Sequence, residues 1–141
     1  MTTPLLEVDN LSISYRSGSD LKLAVDGISF DLDRGGSLGL VGESGCGKSV
    51  TALSVMGLLP QPEGIISGGS IHFQGRDLVR LPRKELRKYT GNEISMIFQE
   101  PMASLSQHYT IGNQIAENLL LHQEMTKEAA RAQTIELLRQ V

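Results

Sequence analysis

The chain has 141 residues, enough for one ordinary domain with a core, 21% of them charged, and a net charge of −3. No global field points to nucleic acid, and the basic residues have too little aromatic interleaving to suit a single strand. The one cysteine excludes an internal disulfide, no apolar run approaches the roughly 18 residues of a membrane span, and Met1-Thr2-Thr3-Pro4 lacks the regions of a secretory signal, which together favour the cytosol.

Leu5 to Tyr15 alternates in part, with Leu11, Ile13 and Tyr15 on one face, and predicts a strand. Ser17-Gly18-Ser19-Asp20 is turn chemistry, and Leu21 to Leu32 predicts a second strand pair in which Ile28, Phe30 and Leu32 alternate. Asp33-Arg34-Gly35-Gly36 turns into Ser37-Leu38-Gly39-Leu40-Val41, which reads as a short buried strand. Val50 to Met56 reads as a helix, and Pro60 to Gly64 breaks the chain. Ser70 to Phe73 predicts a strand, with Ile66-Ser67-Gly68-Gly69-Ser70 read as a turn before it. Pro82 can open a helix running to Tyr89, closed by Gly91-Asn92. Ile94 to Phe98 reads as a second buried strand, Ile111 to His122 as a helix, and Thr126 as the N-cap of a last helix over Lys127 to Val141.

Between the predicted strand at Ser37–Val41 and the helix after it stands Gly42-Glu43-Ser44-Gly45-Cys46-Gly47-Lys48-Ser49, which fits G-x-x-x-x-G-K-[ST]. The glycines permit backbone conformations closed to residues with a Cβ, so successive N–H groups can turn inward around an anion. The helix adds unpaired N–H groups and the positive end of its dipole. Lys48 would set its ammonium against β- and γ-phosphates, and Ser49 would offer a hydroxyl to Mg²⁺. The bland alternative is a glycine-rich turn before an ordinary helix. Arg76, Arg80, Arg83, Lys84, Arg87 and Lys88 form a basic cluster, either a solvated helix face or an attraction for anionic lipid or an acidic partner.

Three stretches together carry a resemblance: Val41 to Ser49, Gly57-Leu58-Leu59-Pro60, and Met96-Ile97-Phe98-Gln99-Glu100-Pro101-Met102-Ala103-Ser104-Leu105. The chain resembles the N-terminal part of an ATP-binding-cassette (ABC) transporter ATPase, and within that group the ATPase subunits of oligopeptide/dipeptide importers. The resemblance implies an α/β phosphate-loop core with an N-terminal antiparallel β subdomain and the start of a helical subdomain, residues 1–100 and 101–141 respectively. It implies ATP and Mg²⁺, held by Gly42, Glu43, Ser44, Gly45, Cys46, Gly47, Lys48, Ser49 and Val50. Tyr15 matches the family's adenine-stacking aromatic, against the alternative of an ordinary strand tyrosine. Gln99 matches the glutamine that reaches Mg²⁺ and the attacking water, against a polar residue closing a strand. Lys48 and Gln99 are thus the candidate catalytic pair.

The resemblance also implies partners: integral-membrane permease subunits docking on Glu100 to Leu105, and a second ATPase subunit bound head to tail. It places the protein peripherally on the cytoplasmic face of the inner or plasma membrane, importing peptides or similar small solutes. Here Ser106-Gln107-His108-Tyr109 replaces the family's Asn-Pro, which bears on loop shape. The Asp-Glu strand end, the Leu-Ser-Gly-Gly-Gln signature and the switch histidine are not found. His72, His108 and His122 read as strand, loop and helix surface residues, and Ile66 to Ser70 only imitates the signature. The expectation is a chain truncated inside the helical subdomain, with unpaired edges and no turnover of its own. The alternatives are a fragment that binds nucleotide or docks without hydrolysis, and a small phosphotransferase using the same loop.

Overall fold

The computed structural model describes residues 3–100, 104–123 and 125–141. They fall into two compact units, Met1–Leu86 and Arg87–Val141, each taken by itself below.

The first unit is built on a four-stranded antiparallel sheet of order β2-β1-β3-β4, with β1 at Leu6–Ser17, β2 at Asp20–Leu32, β3 at Gly64–Phe73 and β4 at Arg76–Asp77. The antiparallel β subdomain expected from the sequence is therefore present. Leu21–Leu32 is one long strand rather than a pair, because a single hairpin at Ser17–Asp20 lets all of β2 run back along β1. The central strand β1 carries the core: Val8, Leu11 and Ile13 are almost wholly buried with Val25, Ile71 and Phe73.

An even-numbered Val8 and an odd-numbered Leu11 both face inward because β1 bulges between them. Asp9 and Asn10 oppose the single residue Ser29 of β2, and Asn10 and Leu11 oppose the single residue Gly69 of β3. Asn10 takes φ 47°, and its N–H donates to Ser29 Oγ at 2.8 Å. An inserted residue of this kind reverses the inside–outside alternation, which is why the period in the sequence is only partial. Truncating the buried Leu11 side chain should be costly. Leu11→Ala is expected to lower stability by about 2–4 kcal/mol, read as a lower urea midpoint at unchanged m-value.

Helix α1, Lys48–Val55, lies against this sheet and buries Thr51, Ser54 and Val55, with Met56 and Leu59 continuing the core beyond its end. Helix α2 is a single turn, Arg83–Leu86, opened by Pro82 as expected but ending well short of Tyr89. The basic cluster is accordingly not one helix face. Arg76 lies on β4, Arg80 pairs with Asp77 at 3.2 Å, Arg83 and Lys84 are on α2, and Arg87 and Lys88 belong to the second unit.

Two predicted buried strands do not form among the described residues. Ser37–Val41 is irregular and open, with Val41 93% exposed; Ile94–Phe98 makes one bridge, Thr90 to Ile94, and leaves Ile97 94% exposed. Short all-apolar strands are stable in a parallel sheet with neighbours on both edges and cover on both faces. No described strand lies beside either segment.

In the second unit, α3 (Ile111–His122) and α4 (Lys127–Arg139) pack on each other through Leu119, Ala130 and Thr134. Both begin with a threonine cap, of which Thr126 is expected from the sequence and Thr110 is not: Thr110 Oγ1 accepts from the Asn113 N–H at 3.3 Å, and Thr126 Oγ1 from the Ala129 N–H at 3.2 Å. No described helix is long and apolar enough to cross a membrane.

Candidate functional site

The loop from Gly42 to Lys48 is an exposed turn leading into α1. Its shape follows from two glycines. Gly45 takes φ 81° and Gly47 φ 96°, while Cys46 between them stays on the negative side. Alternation of this kind turns successive N–H groups toward one side and makes a concavity that suits an anion. A side chain at Gly47 would also collide with β2, since an added Cβ would lie 2.8 Å from Val25 Cγ2 and 3.1 Å from Ala24 O. The loop is thus seated directly on the sheet.

Gly47 is the N-cap of α1, and the first intrahelical bond runs from the Thr51 N–H to Gly47 O at 2.9 Å. The N–H groups of Lys48, Ser49 and Val50 precede it and remain open at the helix end, where the dipole favours negative charge. Thr51 Oγ1 turns back to Gly47 O, whereas the exposed Ser49 hydroxyl makes no hydrogen bond among the described residues.

Lys48 closes the loop over itself. Its ammonium donates to Gly42 O at 2.7 Å and Glu43 O at 2.6 Å, and lies 3.4 Å from Cys46 Sγ. The lysine therefore clamps the start of the loop to its end and holds a positive charge at the concavity. These carbonyl contacts had no signature in the sequence, because any residue supplies a carbonyl and only the fold decides which ones the ammonium reaches. The Cys46 thiol lies beside that ammonium and is exposed. Alkylating Cys46 should block ATP binding, and saturating ATP should protect the thiol. The check is the rate of maleimide labelling with and without ATP, followed by peptide mass spectrometry.

Tyr15 sits near the end of β1, paired with Lys22 of β2 and Gly64 of β3. Lys22 is two residues along β2 from Ala24, which Gly47 nearly touches. Two residues of strand span about 7 Å, so β2 brings Tyr15 and the phosphate loop into one neighbourhood. Gln99 lies in the second unit, in an exposed bend after Phe98. Of the segment Glu100–Leu105, residues 101–103 lie outside the described residues; Glu100, Ser104 and Leu105 are exposed.

A cavity of about 840 Å³ in the first unit lies past the other end of α1, among Leu58, Leu59, Ile66, Leu78, Leu81 and Leu86. Its lining is mixed, with Ser54, Gln61 and Arg83 beside the aliphatic side chains. The histidines are dispersed: His72 on β3 with Nδ1 3.4 Å from Ser70 Oγ, His108 in an exposed loop, and His122 in the last turn of α3.

The ABC transporter family model matches residues 25–141. The chain is 51% identical over 140 residues to the peptidoglycan transport ATP-binding protein YejF of Agrobacterium fabrum, covering 99% of this chain and 26% of that protein. It is 47% identical over 136 residues to the oligopeptide transport ATP-binding protein OppD of Bacillus subtilis, covering 96% of this chain and 38% of that one. The chain thus spans about a quarter to two fifths of the length of these relatives. Among solved structures, the dimeric post-hydrolysis state of the ATP-binding cassette MJ0796 bound to ADP and Pi superposes with a TM-score of 0.79 at 20% identity, over 95% of this chain and 56% of that one. The fold is therefore that of an ABC cassette in its antiparallel sheet and helices. With a family model spanning residues 25 to 141 and relatives at about half identity, this chain belongs to the ABC transporter family.

Proposed function

We propose that this chain is part of the ATP-binding subunit of an importer for peptides or similar small solutes. The observation that carries the reading is the Lys48 ammonium, held between the carbonyls of Gly42 and Glu43 at the mouth of an amide-lined loop. Phosphoryl-transfer sites work almost entirely by positioning and charge stabilisation, and that is what these groups offer. Gly42 to Val50 would cradle the polyphosphate, and Tyr15 would stack on the adenine. The free Ser49 hydroxyl suits Mg²⁺, a hard cation that takes few protein oxygens beside the phosphates and its waters. Gln99 would supply a second oxygen to the cation and orient the attacking water.

Glu100 to Leu105 would dock on the permease subunits, with a second ATPase subunit head to tail, at the cytoplasmic face of the membrane. In the whole cassette we divide the chain into 1–100, β subdomain and phosphate-loop core, and 101–141, helical subdomain. Ser37–Val41 and Ile94–Phe98 would there join a parallel sheet whose other strands the longer relatives supply.

By itself the chain would bind nucleotide without turning it over, since the Asp-Glu strand end, the Leu-Ser-Gly-Gly-Gln signature and the switch histidine that the resemblance calls for are not found in its sequence. The test measures binding of a fluorescent ATP analogue and magnesium-dependent phosphate release on the same preparation. Binding without release is the expected pair of results, and Mg²⁺-dependent turnover by the chain alone would refute it. Absence of any binding would remove the nucleotide reading itself.

A further inference from the structure

Gln114 stands in the first turn of α3, four residues after the cap Thr110, and its side chain reaches back over the helix end to the preceding loop. Its amide oxygen accepts from the Ser106 N–H at 2.9 Å, and its amide nitrogen donates to Ser106 O and Tyr109 O, both at 2.9 Å. The orientation of the amide follows from its partners, because one N–H needs an acceptor and two carbonyls need donors. Gln114 thus treats Ser106 as a neighbouring strand would, taking both main-chain groups of one residue. Ser106 Oγ accepts from the His108 N–H at 3.3 Å and closes the turn between the two anchor points.

The pinned stretch follows the segment Glu100–Leu105 directly and presents Leu105 and Tyr109, 41% and 67% exposed. We propose that Gln114 is a positioning residue that sets the exit of the docking segment and thereby tightens its hold on the permease. The proposal rests on the reading that Glu100–Leu105 docks there. The mechanism is preorganisation: a loop held at Ser106 and Tyr109 by three hydrogen bonds has less freedom to lose on binding. Neither the nucleotide loop nor α1 takes part.

Two variants separate this role from mere support of the helix. Gln114→Ala raises intrinsic helix propensity while removing all three bonds, and Gln114→Glu keeps shape and one acceptor but removes both donors. Each chain would be co-expressed with the two permease subunits of its importer and the complex assembled in nanodiscs. Permease affinity, affinity for a fluorescent ATP analogue, and amide exchange at Ser106 would then be measured. Both variants should hold nucleotide within twofold of wild type and the permease about tenfold more weakly, with faster Ser106 exchange in Gln114→Ala. Wild-type permease affinity in Gln114→Glu would overturn the proposal, as would a parallel loss of nucleotide affinity. If the wild-type chain itself fails to hold the permease, the docking reading falls first and takes this inference with it.

Discussion

Lys48→Ala should abolish ATP binding at micromolar nucleotide, with a loss in affinity of about 100-fold or more. The substitution removes a charged donor from the polyphosphate, and charge-assisted hydrogen bonds are worth about 1.5–3 kcal/mol each. It also cuts the ties to Gly42 O and Glu43 O, so the loop loses the link between its two ends. Lys48→Arg is the informative control. A guanidinium keeps the charge but is planar and larger than an ammonium, and cannot reproduce a point donor between two carbonyls. It should recover part of the affinity and not all of it. Titration calorimetry of all three proteins checks this. Unchanged affinity in Lys48→Ala would mean that the concavity does not hold the phosphates.

The second large effect is on stability and lies away from the nucleotide. Gly69 takes φ 80° opposite the bulge of β1, and a Cβ there would overlap the Asn10 carbonyl and press on Asp9 O. Both obstacles are backbone, so neither can swing aside. Gly69→Ala combines left-handed strain with this overlap and should cost about 3 kcal/mol or more. The measurement is a shift in the urea midpoint of the first unit, followed by circular dichroism in the sheet region. Gly68→Ala serves as the partner experiment. Its Cβ would meet only Ser12 at 3.7 Å, an ordinary contact, so it should be far milder. Equal stability of the two variants would refute the reading of Gly69 as a bulge residue.

That pair of glycines also explains a misreading. Ile66-Ser67-Gly68-Gly69-Ser70 looks like a turn because Ser-Gly-Gly is turn composition, yet it lies inside β3. Glycine appears there because another backbone approaches closely, which is a second reason for glycine in a strand. Composition cannot separate the two reasons; the register of β1 against β3 does.

Local chemistry determined much of this protein in advance. The glycine-rich loop, its helix, the Thr126 cap and the turn at Ser17–Asp20 between β1 and β2 were legible because each depends on residues adjacent in sequence. Tertiary structure alone decided the rest. The bulge that puts Val8 and Leu11 on one side, the carbonyls that Lys48 reaches, and the clamp of Gln114 on Ser106 join residues whose partners no pattern names. Ser37–Val41 and Ile94–Phe98 show the same division from the other side. Their apolar composition asks for a strand, but a parallel strand exists only when neighbours supply its hydrogen bonds and cover its faces. A helix carries its own partners within one segment, whereas a strand must borrow them from elsewhere in the fold.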